Sequence, residues 1–208
     1  MLSGFSLLET MRLEDGGVAR LDRHLARMGA SAAHVGFAWD ETLARTAIED
    51  ERRSHEGGCW RLRLLLDREG IATTTCTPHD GSGSRTWRVA LAVSPLHSAN
   101  PFLRHKTTSR ALYESAKAAR ADVDDVVLWN ERDEVTETTI ANLVAEIDGV
   151  RVTPPVTCGL LPGVYRAELL ESGAIRERVI TKDDLARASR VWLVNSLRGW
   201  IDVQLVGG

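Results

Sequence analysis

Apolar positions open the chain at close spacing and then settle into a helical rhythm. Residues 5–13, FSLLETMRL, read as a strand, and Asp15-Gly16-Gly17 as the turn that follows it. Leu21, Leu25, Met28, Ala32 and Val35 recur four and three residues apart. That period predicts an amphipathic helix with Asp22 as its N-cap and Gly36 as its end. Asp40 is placed to cap a second helix with Leu43, Ala44, Ala47 and Ile48 on one face, closed by Gly57-Gly58. In Trp60–Leu66 two arginines, Arg61 and Arg63, alternate with apolar neighbours, which predicts a strand. Asp67-Arg68-Glu69-Gly70 reads as a hairpin turn into a partner over Ile71–Thr77. HDGSGS, from His79 to Ser84, is expected to be a loop, and its GSG falls short of a dinucleotide fingerprint.

A strand over Trp87–Val93 leads to the connection SPLHSANPFLRHK, where a boundary between residues 1–98 and 99–208 is expected. Beyond it the pattern predicts a helix from Thr108 to Arg120 and strands at Asp125–Trp129 and Asn142–Ile147. Asp148-Gly149 is a hairpin signal into Val150–Thr153. Short helices at Gly163–Glu171 and Lys182–Ala188, and strands at Val191–Asn195 and Trp200–Val206, complete the chain. Helices and strands mix in both halves, which points to an α+β or α/β layered domain.

With 208 residues the chain can bury a core without staples. A net charge of −3 gives no general attraction to nucleic acid or anionic membrane, so neither is expected as a partner. No apolar run approaches a membrane span, and MLSGFSLLET lacks the basic start of a signal peptide, so a cytoplasmic location is expected. Cys59, Cys76 and Cys158 are far apart and form no metal-ligand motif, so no metal is expected.

Four segments carry candidate chemistry. Lys106, in HKTTSR, sits between a loop and a helix start, where a partly desolvated amine can attack a carbonyl. Taken singly, a lysine is usually a solvated surface residue. In EVTETTIAN, Glu137 lies among Thr136, Thr138 and Thr139, surroundings that keep a carboxylate ionised, though such clusters also make ordinary turns. In CGLLPGVYRAELL, Pro162-Gly163 precedes a helix whose first N–H groups can bind phosphate, or simply marks a helix entry. Arg27, in RLDRHLARMGASA, flanks a buried helix face and has the forked donors that phosphate needs, or those of a salt bridge.

Their order and spacing along the chain resemble the class IV (fold-type IV) aminotransferase and lyase family, nearly from end to end. The resemblance is carried by LLETMRLEDG, LDRHLARMGASA, RLRLLLDREG, NPFLRHKTTSRALY, DDVVLWNERDEVTETTIANL, TPPVTCGLLPGVYRAELL and VWLVNSLRGW. It implies an α+β fold of two small α/β subdomains, like D-amino-acid aminotransferase, with pyridoxal 5'-phosphate between them and the cofactor lysine in the second. Residue by residue, it implies that Lys106 is the Schiff-base lysine and Glu137 the partner of the pyridine nitrogen. Arg27 corresponds to the phosphate arginine, and Leu161, Gly163 and Val164 to the helix start that takes the phosphate. Ser196 matches a hydroxyl position near that phosphate, and Asn142 the asparagine closing the glutamate turn.

Within the family the chain is most similar to aminodeoxychorismate lyases, including the lyase domain fused behind aminodeoxychorismate synthase in some bacteria. Asn195-Ser196-Leu197 is the segment that favours lyase over aminotransferase, because an asparagine there can bond a substrate carboxylate or hydroxyl. Arg104 and Arg198, with Arg61 and Arg63, are the candidates for substrate carboxylates. Stand-alone members usually open with a further strand, whereas this sequence begins almost at the one that follows, as the fused domains do. The resemblance therefore does not assign one wall of the expected substrate pocket. The resemblance implies a small-molecule substrate, a homodimer and room for a separate synthase subunit. The alternatives are an aminotransferase of a D-amino acid, branched-chain acid or amine, and an inactive binding protein.

Overall fold

The computed structural model describes residues 4–55, 57–80 and 85–207. The expected loop at residues 81–84 lies outside them. The chain divides into two compact units, Met1–Ser82 with His105–Ser109, and Gly83–Arg104 with Arg110–Gly208. The sequence pattern places the break at 98/99 and gives Lys106 to the second half. By packing, the Lys106 segment belongs with the first unit.

The first unit is a four-stranded antiparallel sheet in the order β2-β1-β3-β4. Its strands are β1 (Leu7–Glu14), β2 (Gly17–Val18), β3 (Cys59–Leu66) and β4 (Ala72–Pro78). Alternation decides its faces. Leu7, Met11, Leu13, Leu62, Leu64 and Leu66 pack under helices α1 (Leu21–Val35) and α2 (Glu41–Arg53), against Leu25, Met28, Ala44 and Ile48. The intervening positions carry Thr10, Arg63 and Thr75 in one register row and Arg12, Arg61 and Thr77 in the next.

Asp40 caps α2 as expected, its carboxylate accepting from the N–H groups of Thr42 and Leu43. Asp22 does not cap α1. The cap is Arg20, in the left-handed region at φ 59°, and Asp22 falls in the first turn, where its charge suits the helix dipole. Gly36 ends α1 at φ 73°, a conformation that favours glycine.

The second unit is built on β5 (Trp87–Leu91), β6 (Asp125–Trp129), β7 (Val135–Thr138), β8 (Asn142–Ile147), β9 (Val150–Thr153), β10 (Arg176–Glu177), β11 (Arg190–Asn195) and β12 (Gly199–Leu205). Their order is β10-β9-β8-β11-β12-β5-β6-β7, and β7 pairs back to β8 and closes the ring. Helices α3 (Ala111–Ala118), α4 (Val164–Glu171) and α5 (Lys182–Arg187) complete it. Val89, Val127, Leu143, Ala145, Leu193 and Ile201 form one core cluster. Val144, Trp192 and Val194, on the opposite pleat, pack with Leu169 and Tyr165 of α4.

Two elements differ from the pattern. Helix α3 starts at Ala111 rather than Thr108, because Thr107 and Thr108 are already bonded to the edge of β1. Strand β7 is buried along its whole length although it reads as polar, VTET. Asp148-Gly149 forms the expected hairpin turn, with positive φ at both residues. All three cysteines are free. Among the described residues no helix is long and apolar enough to cross a membrane.

Candidate active site

In the first unit, β1 and α1 place the candidate groups. The segment 105–109 lies along the free edge of β1. The Leu8 N–H donates to the Lys106 carbonyl at 2.9 Å, the Thr108 N–H donates to the Ser6 carbonyl at 2.9 Å, and Leu7 faces Thr107. The next residue of β1, Glu9, is buried and takes a forked pair from Arg27, Nε to Oε1 at 2.8 Å and Nη2 to Oε2 at 2.5 Å. His24 Nδ1 lies 2.7 Å from Glu9 Oε2. Further along α1, the Ser31 hydroxyl bonds the ring of His105 at 3.0 Å and His34 stacks on that ring at 4.4 Å. One stripe of α1, His24–Arg27–Ser31–His34, thus serves both Glu9 and the residue before Lys106, beside the apolar stripe that holds the helix down.

The chain has three lysines, at 106, 117 and 182. Lys117 ties off the end of α3, its ammonium donating to the carbonyls of Val123 at 2.7 Å and Arg120 at 3.3 Å. Lys182 pairs with Asp133 at 2.6 Å and sits 3.7 Å over the Trp129 ring. Lys106 is half-buried at a loop.

In the second unit the candidates converge on Glu137. It lies on β7, 4% exposed, directly across from Asn142 at the start of β8. The Tyr113 hydroxyl of α3 donates to Glu137 Oε1 at 3.0 Å, and Asn142 Nδ2 donates to Oε2 at 3.3 Å. Burial, and then the Glu137 charge, push the Tyr113 phenol far above its ordinary range, so it keeps its proton and donates. Asn142 also donates to the Leu161 carbonyl at 2.9 Å, which joins β8 to the entry of α4. At Gly163 a Cβ would overlap the Asn142 amide oxygen, so a larger residue must displace that hydrogen-bonded amide. Among the described residues no side chain caps α4 at Gly163, which leaves its first N–H groups, from Val164 onward, as donors for an anion.

Glu134, the other carboxylate of EVTETT, is used differently. Hydrogen bonds from Arg132 first, then from Asn130, hold it at about 2 against its burial, and it pins the turn at 130–134.

The remaining candidates sit around the β11–β12 turn and the domain connection. Asn195 uses its amide oxygen to accept from the Leu197 and Arg198 N–H groups, at 3.1 and 2.8 Å, so it shapes the turn. Its Nδ2 reaches the Ile140 carbonyl, between β7 and β8, at 3.4 Å. Ser196 is buried beside it. Arg198 stacks 5.6 Å over Trp87. Arg104 is exposed at the end of a single 3-10 turn, Pro101–Arg104.

Away from these groups, folding also gathers Glu51, His55 and Cys76 within 4.8 Å, a grouping their spacing does not announce. The Glu51 carboxylate there accepts from Thr74, and the His55 ring bonds the Glu51 carbonyl.

A model of the class IV amino-transferases matches residues 6–206. The chain belongs to the class IV aminotransferase family. A Schizosaccharomyces pombe protein provisionally described as an aminodeoxychorismate lyase is 34% identical over 206 residues, which cover 93% of this chain and 86% of that protein. A Mesorhizobium loti crystal structure, provisionally described as an amino-acid aminotransferase, is 43% identical. It superposes with a TM-score of 0.91 over 98% of this chain and 100% of its own. A Mycobacterium tuberculosis aminotransferase solved with pyridoxal phosphate shares the fold at 22% identity, with a TM-score of 0.84 over 97% and 81% of the two chains. The class IV enzymes work with pyridoxal phosphate, and this chain is an enzyme of that class.

The residues present fit that cofactor. The first unit offers an amine on a pinned loop and an arginine with a fixed fork. The second offers a buried carboxylate that accepts from Tyr113 and Asn142, and a helix start at Gly163 with no side-chain cap. Glu9 and Tyr113 have no marker in the sequence pattern, while His24 stands one turn before Arg27 in its His-x-x-Arg. His24 has a signal in a second, polar helical period, His24–Arg27–Ser31–His34, overlapping the apolar one, whereas Glu9 and Tyr113 lie on other elements.

Proposed function

We propose that the chain is a pyridoxal-phosphate lyase that converts aminodeoxychorismate to 4-aminobenzoate and pyruvate, a step toward folate. The observation that carries this is likeness along nearly the whole chain to a protein described as that lyase. When bound, the cofactor supplies an electron sink for the carbon next to the substrate nitrogen. Lys106 provides the amine that attaches it and then the base that takes the proton from that carbon. Glu137, fixed by Tyr113 and Asn142, serves as partner of the ring N–H. Arg27 and the N–H groups at Gly163 and Val164 take the phosphate, with Ser196 beside them. Because loss of pyruvate leaves an aromatic ring, the protein's task is chiefly to position the leaving group and move one proton. Arg104, Arg198 and Asn195 are proposed for the substrate carboxylates, Asn195 through its Nδ2 because its oxygen is spent on the turn.

Likeness to a structure described as an amino-acid aminotransferase favours a second reading, amino-group transfer on the same Lys106 and Glu137. Incubation with aminodeoxychorismate alone separates the two. The lyase yields 4-aminobenzoate and pyruvate in equal amounts without a keto acid. Turnover only after a keto acid or a second amine is added supports transfer instead. We further propose that the enzyme works as a homodimer in the cytoplasm, with light scattering at twice the mass of 22.9 kDa as the check. A separate synthase subunit is a proposed supplier of its substrate.

A further inference from the structure

Strand β1 and helix α1 bury a charged cluster where an apolar contact would hold them together at less cost. Glu9 and His24 are each 1% exposed, and the Arg27 side chain 13%. Met11 and Leu13, on the same pleat of β1, are fully buried and dock the helix layer without desolvating any charge. A buried ion pair of this kind is seldom worth more to stability than apolar residues of the same volume. What it does fix is direction. The fork from Arg27 Nε and Nη2 to the two Glu9 oxygens leaves the guanidinium one orientation about its axis.

His24 completes the arrangement. Burial raises the Glu9 carboxyl, but the Arg27 charge and the bonds from His24 and Arg27 outweigh it and hold Glu9 at about 2. Glu9 is therefore a carboxylate that can only accept, and the shared hydrogen sits on His24 Nδ1. His24 Nε2 is buried with no hydrogen-bond partner among the described atoms, so the ring is held to Glu9 from one side. Leu8, the neighbour of Glu9 on β1, holds the Lys106 carbonyl. The same two residues of one strand thus locate Arg27 and the lysine loop.

Resting on the assignment of Arg27 as the phosphate anchor, we propose that Glu9 is its positioning residue, steadied by His24, and that this pair makes the first unit selective for a phosphorylated cofactor. The opposing physical possibility is competition. A carboxylate already on the guanidinium could hold it back from a phosphate. The two predict opposite signs for Glu9→Gln, because Gln offers an N–H where Arg27 or His24 already donates and so breaks the fork.

The test is a binding titration of the full chain, freed of cofactor, with pyridoxal phosphate and separately with pyridoxal, followed by the visible band. Glu9→Gln is expected to weaken pyridoxal phosphate about tenfold, the size of one charge-assisted hydrogen bond, and to leave pyridoxal within about twofold. Arg27→Ala should show the same selectivity, and adding Glu9→Gln to it should cost nothing more. Glu9→Asp, which keeps the charge but shortens the reach, should also lose phosphate selectivity and covers the case in which Gln does not fold. Unchanged or tighter binding of pyridoxal phosphate by Glu9→Gln, or equal losses for both ligands, overturns the positioning role while leaving Arg27 as anchor. An Arg27→Ala protein that does not distinguish the two ligands overturns the anchor itself, and this inference with it.

Discussion

The two units hold their functional side chains by different means. In the first, a formal charge holds another: Glu9 orients Arg27, with His24 behind it. In the second, the central carboxylate Glu137 is held by neutral donors, the Tyr113 hydroxyl and the Asn142 amide. A charged brace gives firm direction but depends on protonation. A neutral one adds no charge of its own beside the carboxylate. That division suits the anchor proposed for Arg27 and the ring partner proposed for Glu137.

The contrast can be broken most severely at the chemistry. Lys106→Ala is expected to abolish the visible band of the purified enzyme and lower turnover by at least about a thousandfold, measured by absorbance and product formation. Glu137→Gln removes the charge at nearly unchanged size and puts an N–H where Tyr113 or Asn142 already donates. It should retain cofactor and lose roughly a hundredfold in turnover, the scale of a preorganised electrostatic contact. Retained turnover there would remove Glu137 from the mechanism.

Gly163→Ala should weaken the cofactor by about tenfold or more in the same titration, because its Cβ has no room beside Asn142. A stability measurement, free of any effect on turnover, separates the two braces by pH. The folded value of Glu9, about 2, lies below its ordinary 4.5, so its contribution is complete above that ordinary value. It is lost as the pH falls toward about 2. The component amounts to about 3 kcal/mol. Denaturant melts between pH 5 and 2 should therefore fall more steeply for the native chain than for Glu9→Gln.

Much of this was legible in the sequence where burial is one-sided. The apolar face of α1, the Asp40 cap of α2 and the Asp148-Gly149 hairpin all announce themselves, because a half-buried element must alternate with the period of its own backbone. Strand β7 did not. Val135–Thr138 is buried on both faces yet polar, since its residues serve a site and a hydrogen-bond network instead of a core. The start of α3 was also hidden, because what stops the helix from beginning at Thr108 is a bond to Ser6, more than a hundred residues earlier. The same long-range pairing moves Lys106 into the first unit. Lys106, Glu137 and Arg27 stand out as candidates in their own segments, and the roles proposed for them rest on resemblance to the family. Glu9 was invisible even so, because a lone glutamate in an alternating strand looks solvated until a helix is laid over it.

Reduction of the purified enzyme with borohydride, followed by peptide mapping, bears most directly on the claim that Lys106 carries the cofactor. The predicted result is a phosphopyridoxyl group on the peptide containing Lys106 and on no other. The same group on Lys117 or Lys182, or no label on a protein that turns over substrate, contradicts the account.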